Sequence, residues 1–162
     1  GRGYERVLLS EFLREELRKI LELGGGTYGR VNFSFSVGQD ITVEANPYVL
    51  RGLLQAALVW CAESSLVASS PLVKVVWEDA DASGLLLSHN GGSSSVEDGA
   101  LLLQPRDAQT GGGMAPRDRL ALVRCLWEDE GGGLSIVESE PGITTGIQVL
   151  FPEALEPEIT AG

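Results

Sequence analysis

His89 is the only histidine in the chain, and it closes a β-rich run as Ser88-His89-Asn90-Gly91-Gly92. An imidazole can act as general base, phospho-acceptor, metal ligand or hydrogen-bonding loop residue. No Asp motif lies near enough to build a Ser-His-Asp arrangement around it. Cys61 and Cys125 are the only cysteines. They fall on separate predicted helices without ligand spacing, so they do not complete a metal site with His89. Both are expected to be small buried apolar residues without reactivity. Far apart in sequence, they make no disulfide framework, and a reducing cytoplasm is the expected location. A lone histidine after a strand is most simply a hydrogen-bonded loop residue, and the lack of a neighbouring helix motif speaks against a phospho-acceptor.

Glycine is the second chemical signal. The chain has 21 glycines in 162 residues, about twice the average share. Gly24-Gly25-Gly26, Gly111-Gly112-Gly113 and Gly131-Gly132-Gly133 form runs. Such runs usually punctuate loops, although glycine-rich backbone before a helix can also cradle phosphate. No P-loop sequence is present. Charge narrows the partners. With 23 Asp and Glu against 12 Lys and Arg, the net charge is −11. Such a surface repels nucleic-acid backbones and anionic membranes, so neither is an expected partner. The acidic positions 78–79, 81 and 128–130 read as solvated faces, the last at a helix C-terminus where the macrodipole disfavours negative charge. A chain that is 43% apolar and 22% charged has globular composition. No apolar run reaches the roughly 18 residues of a membrane span, and no signal peptide is expected at the start.

The elements that must position these residues follow from periodicity. Residues 7–23 carry Leu9, Phe12, Leu13, Leu17, Ile20 and Leu21 at helical spacing, with Ser10 as a candidate cap and Gly24 as the stop. Val31, Phe33, Phe35 and Val37 alternate with polar residues, which predicts a strand with one buried face. A short strand follows at 41–44. Asn46-Pro47 predicts a helix start, running to about 64 with Leu50, Leu53, Leu54, Ala57, Leu58 and Cys61 as its apolar stripe. Residues 72–78 and 84–88 read as a hairpin. A short helix is expected at 96–103 and a glycine-rich loop at 108–115. Pro116 opens a helix to about 130, with Leu120, Leu122, Val123 and Leu126 inward. Strands at 134–139 and 146–151 flank a turn at Glu140-Pro141-Gly142, and residues 153–162 form a tail expected to be flexible. Helices interleaved with strand pairs predict an α+β fold: a two-layer α/β sandwich with a mixed, mostly antiparallel sheet and three helices on one face.

The segment Gly132-Gly133-Leu134-Ser135-Ile136-Val137-Glu138-Ser139-Glu140-Pro141-Gly142-Ile143-Thr144-Thr145-Gly146, ending in Leu150-Phe151-Pro152, resembles the closing segment of sensor histidine-kinase catalytic domains. The rest falls into register behind it, so the resemblance covers residues 7–152. The helix from Asn46 sits at the family's Asn-bearing helix. His89-Asn90-Gly91-Gly92 sits at its first glycine-rich loop, and the helix from Pro116 follows its second. The resemblance implies the ATPase sandwich shared with the gyrase and Hsp90 ATPases, and a place in two-component signal transduction of bacterial type.

The chemical residues depart from that pattern. The resemblance places Trp60 where the family has the Asn that holds Mg²⁺, and an indole offers a hard cation no oxygen. On an apolar helix Trp60 is most simply core, and only the family register places it at a pocket mouth. His89 stands where the family has the Asp that accepts the adenine amino hydrogen. A neutral imidazole accepts such a hydrogen in one tautomer only. Asn90 and Gly91 match. Ala115-Pro116-Arg117-Asp118-Arg119 takes the place of the second glycine motif. Pro116 lacks an N–H, and Asp118 adds negative charge where phosphates would lie. Gly111, Gly112 and Gly113 just upstream, with Arg117 and Arg119, are the candidate substitutes. Residues 93–114 are short for the family's lid over ATP.

Two functions follow. The first is a non-catalytic pseudokinase module with a degenerate ATP site. It would dock on a response regulator receiver domain or on dimerisation and histidine-phosphotransfer helices, with residues 1–6 entering from the latter. The second is an active, atypical kinase domain. It would bind ATP and Mg²⁺ through His89, Asn90, Gly91, Gly111, Gly112, Gly113, Arg117 and Arg119, with Glu63 or another carboxylate near the metal, and phosphorylate a histidine in a neighbouring domain. A plain protein-binding domain is the distant third.

Overall fold

Asn46 opens a 19-residue helix: its side-chain oxygen accepts the Tyr48 N–H at 3.0 Å, and Pro47 takes the first helical position. In the computed structural model this helix spans Pro47–Ser65. The structure describes residues 3–23, 26–79, 84–92, 94–95, 116–140 and 143–152. In chain order its elements are β1 (Glu5–Leu8), α1 (Leu9–Leu23), β2 (Asn32–Ser36), β3 (Thr42–Ala45), α2 (Pro47–Ser65), β4 (Leu72–Glu78), β5 (Gly84–His89), β6 (Ser94–Ser95), α3 (Pro116–Asp129), β7 (Gly133–Glu140) and β8 (Ile143–Leu150). The short helix expected at 96–103, the glycine-rich loop, the Pro141-Gly142 corner and the tail lie outside the described residues.

The large sheet runs β2-β4-β5-β8, with β7 on the far side of β8 and the two-residue β6 continuing the β5 side. Only β2 and β4 are parallel, and every other described pair is antiparallel. β1 and β3 form a separate ribbon. The three helices cover one face, α2 against β4 and β5 and α3 against β7, while α1 packs on α2. This is the α+β sandwich expected from the sequence.

Register explains the core. Phe35, Val75, Leu87, Ile147 and Ile136 lie side by side across five strands. They share one face because strand side chains alternate. Val75, Leu87 and Ile147 are fully buried under the helices. The whole apolar stripe expected on α2 is buried, and so are Ala56 and Ala62. A helix buried over so much of its circumference lies inside its layer, between the sheet and its neighbour helices.

Four expectations are corrected. Residues 7 and 8 are strand, not helix. Val7 and Leu8 pair with Val43 and Thr42, and the Leu9 N–H donates to the Ile41 carbonyl at 3.0 Å. Ser10 therefore sits inside the first turn instead of capping it. The strand expected over 31–37 is β2, which lies at the sheet edge; its apolar face is only partly covered, with Phe33 half-buried and Phe35 37% exposed. On α3 the inward residues are Leu120, Ala121, Val123 and Trp127, whereas Leu122 and Leu126 are exposed. Trp127 sets that rotation. Its Nε1 donates to the Gly133 and Leu150 carbonyls at 3.2 and 3.0 Å, and its ring stands edge-on to Phe151. Cys61 on α2 is buried as expected, but Cys125 falls on the outer side of α3 and is exposed.

The glycine run after α3 has a packing reason. Gly132 lies against the Trp127 indole, where any Cβ would overlap the ring. Its N–H donates to the Trp127 carbonyl at 3.0 Å, and Gly131 takes φ +91°. This is a left-handed helix stop of the kind glycine provides.

Candidate functional site

β5 delivers His89 to the helix side of the sheet. His89 is opposite Val73, in the same side-chain series as Leu85 and Leu87. Across from it, α2 presents Trp60, which is half-buried and packed on the core. The two rings meet at right angles, with centroids 5.1 Å apart and an interplanar angle of 80°, an edge-to-face arrangement favoured by aromatic quadrupoles. Trp60 thus packs on the core, the simpler of the two readings made from the sequence, and it also reaches His89.

The hydrogen bonding of His89 fixes its chemistry. The Gly91 N–H donates to His89 Nδ1 at 3.2 Å. A nitrogen that accepts a backbone N–H carries no proton, so the neutral ring holds its proton on Nε2. Burial holds the imidazole below its ordinary pKa of 6.5, because desolvation disfavours the cation. At neutral pH His89 is an uncharged group presenting an N–H. Its one ring acceptor is engaged within the loop.

Its neighbours are structural as well as polar. The Asn90 side chain accepts the Leu72 N–H at 2.9 Å and donates to the Ser70 carbonyl at 2.8 Å, tying the end of β5 to the start of β4. Gly91 crosses the C-terminal turn of α2, where a Cβ would overlap the Ser64 carbonyl. The loop therefore places His89, Asn90 and Gly91 at the end of the helix that carries Trp60.

One turn beyond Trp60, the exposed Glu63 accepts the Tyr28 hydroxyl at 2.9 Å. Burial, and then the Glu63 carboxylate, push the Tyr28 phenol up to about 12. Arg30 donates to the Leu66 carbonyl at the end of the same helix. No group of three His, Cys, Asp or Glu side chains able to hold a metal occurs among the described residues. Arg117 and Arg119 fall in the first turns of α3, and Arg119 is exposed. Gly111, Gly112 and Gly113 lie outside the described residues.

Sequence reasoning missed Glu16. Its carboxylate is 1% exposed and receives Arg51 Nε at 3.0 Å, Gln55 Nε2 at 2.7 Å and Lys19 Nζ at 3.3 Å. It fastens α1 to α2, the helix that carries Trp60. The signal was its spacing, three residues after Leu13 and four before Ile20, on the inward face of α1.

The fold is that of sensor histidine-kinase catalytic domains. The catalytic domain of histidine kinase ThkA, in a nucleotide-free form, superposes with a TM-score of 0.71 at 20% identity, over 91% of this chain and 95% of that one. The mycobacterial sensor histidine kinase MprB gives 0.70 at 17% identity, over 91% and 97%. The Acinetobacter baumannii histidine kinase AdeS gives 0.67 at 14% identity, over 93% of this chain and 68% of that longer one. The sequence matches no family model and no curated protein. Among the described residues no helix is long and apolar enough to cross a membrane.

Proposed function

We propose that this chain is a histidine-kinase-type catalytic domain whose nucleotide site has degenerated, leaving a signalling and docking module with weak or no ATP binding. The observation that carries this reading is the Trp60–His89 pair. By the family register these two residues replace the metal ligand and the adenine acceptor. Here they pack against each other, and the histidine acceptor is turned inward to Gly91. Indole nitrogen donates only, so Trp60 offers Mg²⁺ nothing. Glu63 adds like charge where phosphates would approach.

Solved structures that share this fold include the cytoplasmic segment of histidine kinase QseC, which supports a place in a two-component pathway in the cytoplasm. Either a response regulator receiver domain or dimerisation and histidine-phosphotransfer helices would be the docking partner.

Calorimetric titration with Mg²⁺-ATP and ADP to millimolar concentration tests this. No saturable heat is expected, in the wild type and in Trp60→Asn alike, because one substitution restores neither the adenine acceptor nor the phosphate loop. Saturation in the micromolar range, about −8 kcal/mol of binding free energy, would overturn the reading. The chain would then be an atypical active kinase using Gly111–Gly113, Arg117 and Arg119. In that case Arg117→Ala and Arg119→Ala would each weaken ATP markedly.

A further inference from the structure

We infer that the outer face of α3 is a surface on which two copies of this chain pair, their α3 helices antiparallel about a two-fold axis beside position 124.

Four residues define the face. Arg119, Leu122, Leu126 and Asp129 are all exposed, and the two leucines keep 49% and 46% of their surface in water. Their spacing of three, four and three aligns them as one seam, the a/d repeat of paired helices. The other side of α3 belongs to the core through Leu120, Val123 and Trp127.

The charges of the seam are set against their own helix. Arg119 stands in the first turns, at the positive end of the macrodipole, and Asp129 is the last residue, at the negative end. Among the described residues neither has an ion-pair partner. An antiparallel second copy reverses both placements. Arg119 then meets Asp129 of the second copy, and Leu122 meets its Leu126, because both pairs are centred on position 124. Each charge also lies at the end of the other copy's dipole that favours it. The surface is thus self-complementary, as a two-fold interface requires. A basic foreign surface would leave Arg119 opposed, and an acidic one Asp129. One helix face falls short of the roughly 1,200 Å² of a standard interface, so the dimer is weak and reversible. The net charge of −11 on each copy opposes association at low salt and is screened beyond about 8 Å at physiological ionic strength.

Sedimentation velocity of the chain at physiological salt, from micromolar to about millimolar concentration, tests this. A monomer–dimer equilibrium is expected. Arg119→Asp and Asp129→Arg should each weaken it at least about tenfold, because each sets like charges together at both ends of the seam. Asp129→Arg lowers the net negative charge, so its weakening separates the facing pairs from overall repulsion. An equimolar mixture of the two variants should dimerise again, since every facing pair is then opposite in sign. Leu126→Glu should leave monomers. Cys125 is exposed and flanks the seam beside the axis, so a short bismaleimide should join two wild-type chains and none of Cys125→Ser. Circular dichroism checks that each variant folds; should one fail, the wild-type equilibrium and Leu126→Glu decide. A chain that stays monomeric at every concentration overturns the inference. So does a dimer indifferent to both charge reversals, or a mixture of folded variants that does not pair. None of these results depends on whether the chain binds nucleotide.

Discussion

Gly91 and Ser64 touch backbone to backbone: the loop after β5 passes so close to the last turn of α2 that no side chain fits between them. Gly91→Ala therefore forces the loop off the helix or bends the helix end. Overpacking of this kind costs about 1–3 kcal/mol. A urea titration should show a lower midpoint with an unchanged slope, and the Trp60–His89 contact should loosen, read as a change in near-UV circular dichroism. An unchanged midpoint would mean that the loop stands farther from α2.

The two cysteines should react very differently. Cys61 is fully buried and its thiol is pushed upward by desolvation, whereas Cys125 is exposed on α3. Thiolate availability and access govern labelling. A maleimide or disulfide reagent is expected to modify one thiol per native chain, at Cys125, and two in denaturant. Fast labelling of both in the native state would contradict the packing of α2.

His89 gives stability a pH dependence whose sign is determined. Its folded pKa is lowered from 6.5 by burial. Between that lowered value and 6.5 the unfolded chain binds more protons, so stability rises with pH across the interval and is flat above it. The contribution is complete above about pH 6.5 and erodes as the pH falls. In His89→Gln this part of the curve should vanish. The difference between wild type and variant is the measurement, since it cancels the carboxylates common to both. A difference that is constant from pH 7 to pH 5 would refute the buried neutral histidine.

Trp127→Phe keeps most of the ring and deletes the donor that serves Gly133 and Leu150. Two carbonyls then lose their partner, at a cost of about 1–3 kcal/mol for each one left buried and unsatisfied. The expected result is a lower thermal midpoint with the fold retained. Gly132→Ala should be worse, because the added methyl overlaps the indole itself.

Much of this architecture was legible because local signals agreed with the tertiary solution. The Asn46-Pro47 start, the α2 stripe and the β4–β5 hairpin are all where periodicity and capping place them. The errors arose where distant residues decide. Val7 and Leu8 continue a helical spacing but pair with β3. Leu122 and Leu126 have the right hydrophobicity to face inward, yet Trp127 claims the contact with the strand ends and rotates them to solvent. At the site, Trp60 and His89 stood out by type and register, but their mutual packing and the direction of the Gly91 hydrogen bond are matters of three-dimensional placement. Glu16 was passed over because a carboxylate on an apolar face makes sense only once Arg51 and Gln55 are brought opposite it.

β8, the last strand among the described residues, is an inner strand of the large sheet, paired with β5 on one side and β7 on the other. During synthesis the earlier strands β2, β4 and β5 must therefore wait, with one edge of β5 open, until residues 143–150 have left the ribosome. Long-range pairing of this kind is slow and exposes strand edges while it lasts. A nascent chain stalled before residue 143 would leave that edge of β5 unpaired, and emergence of β8 would close it.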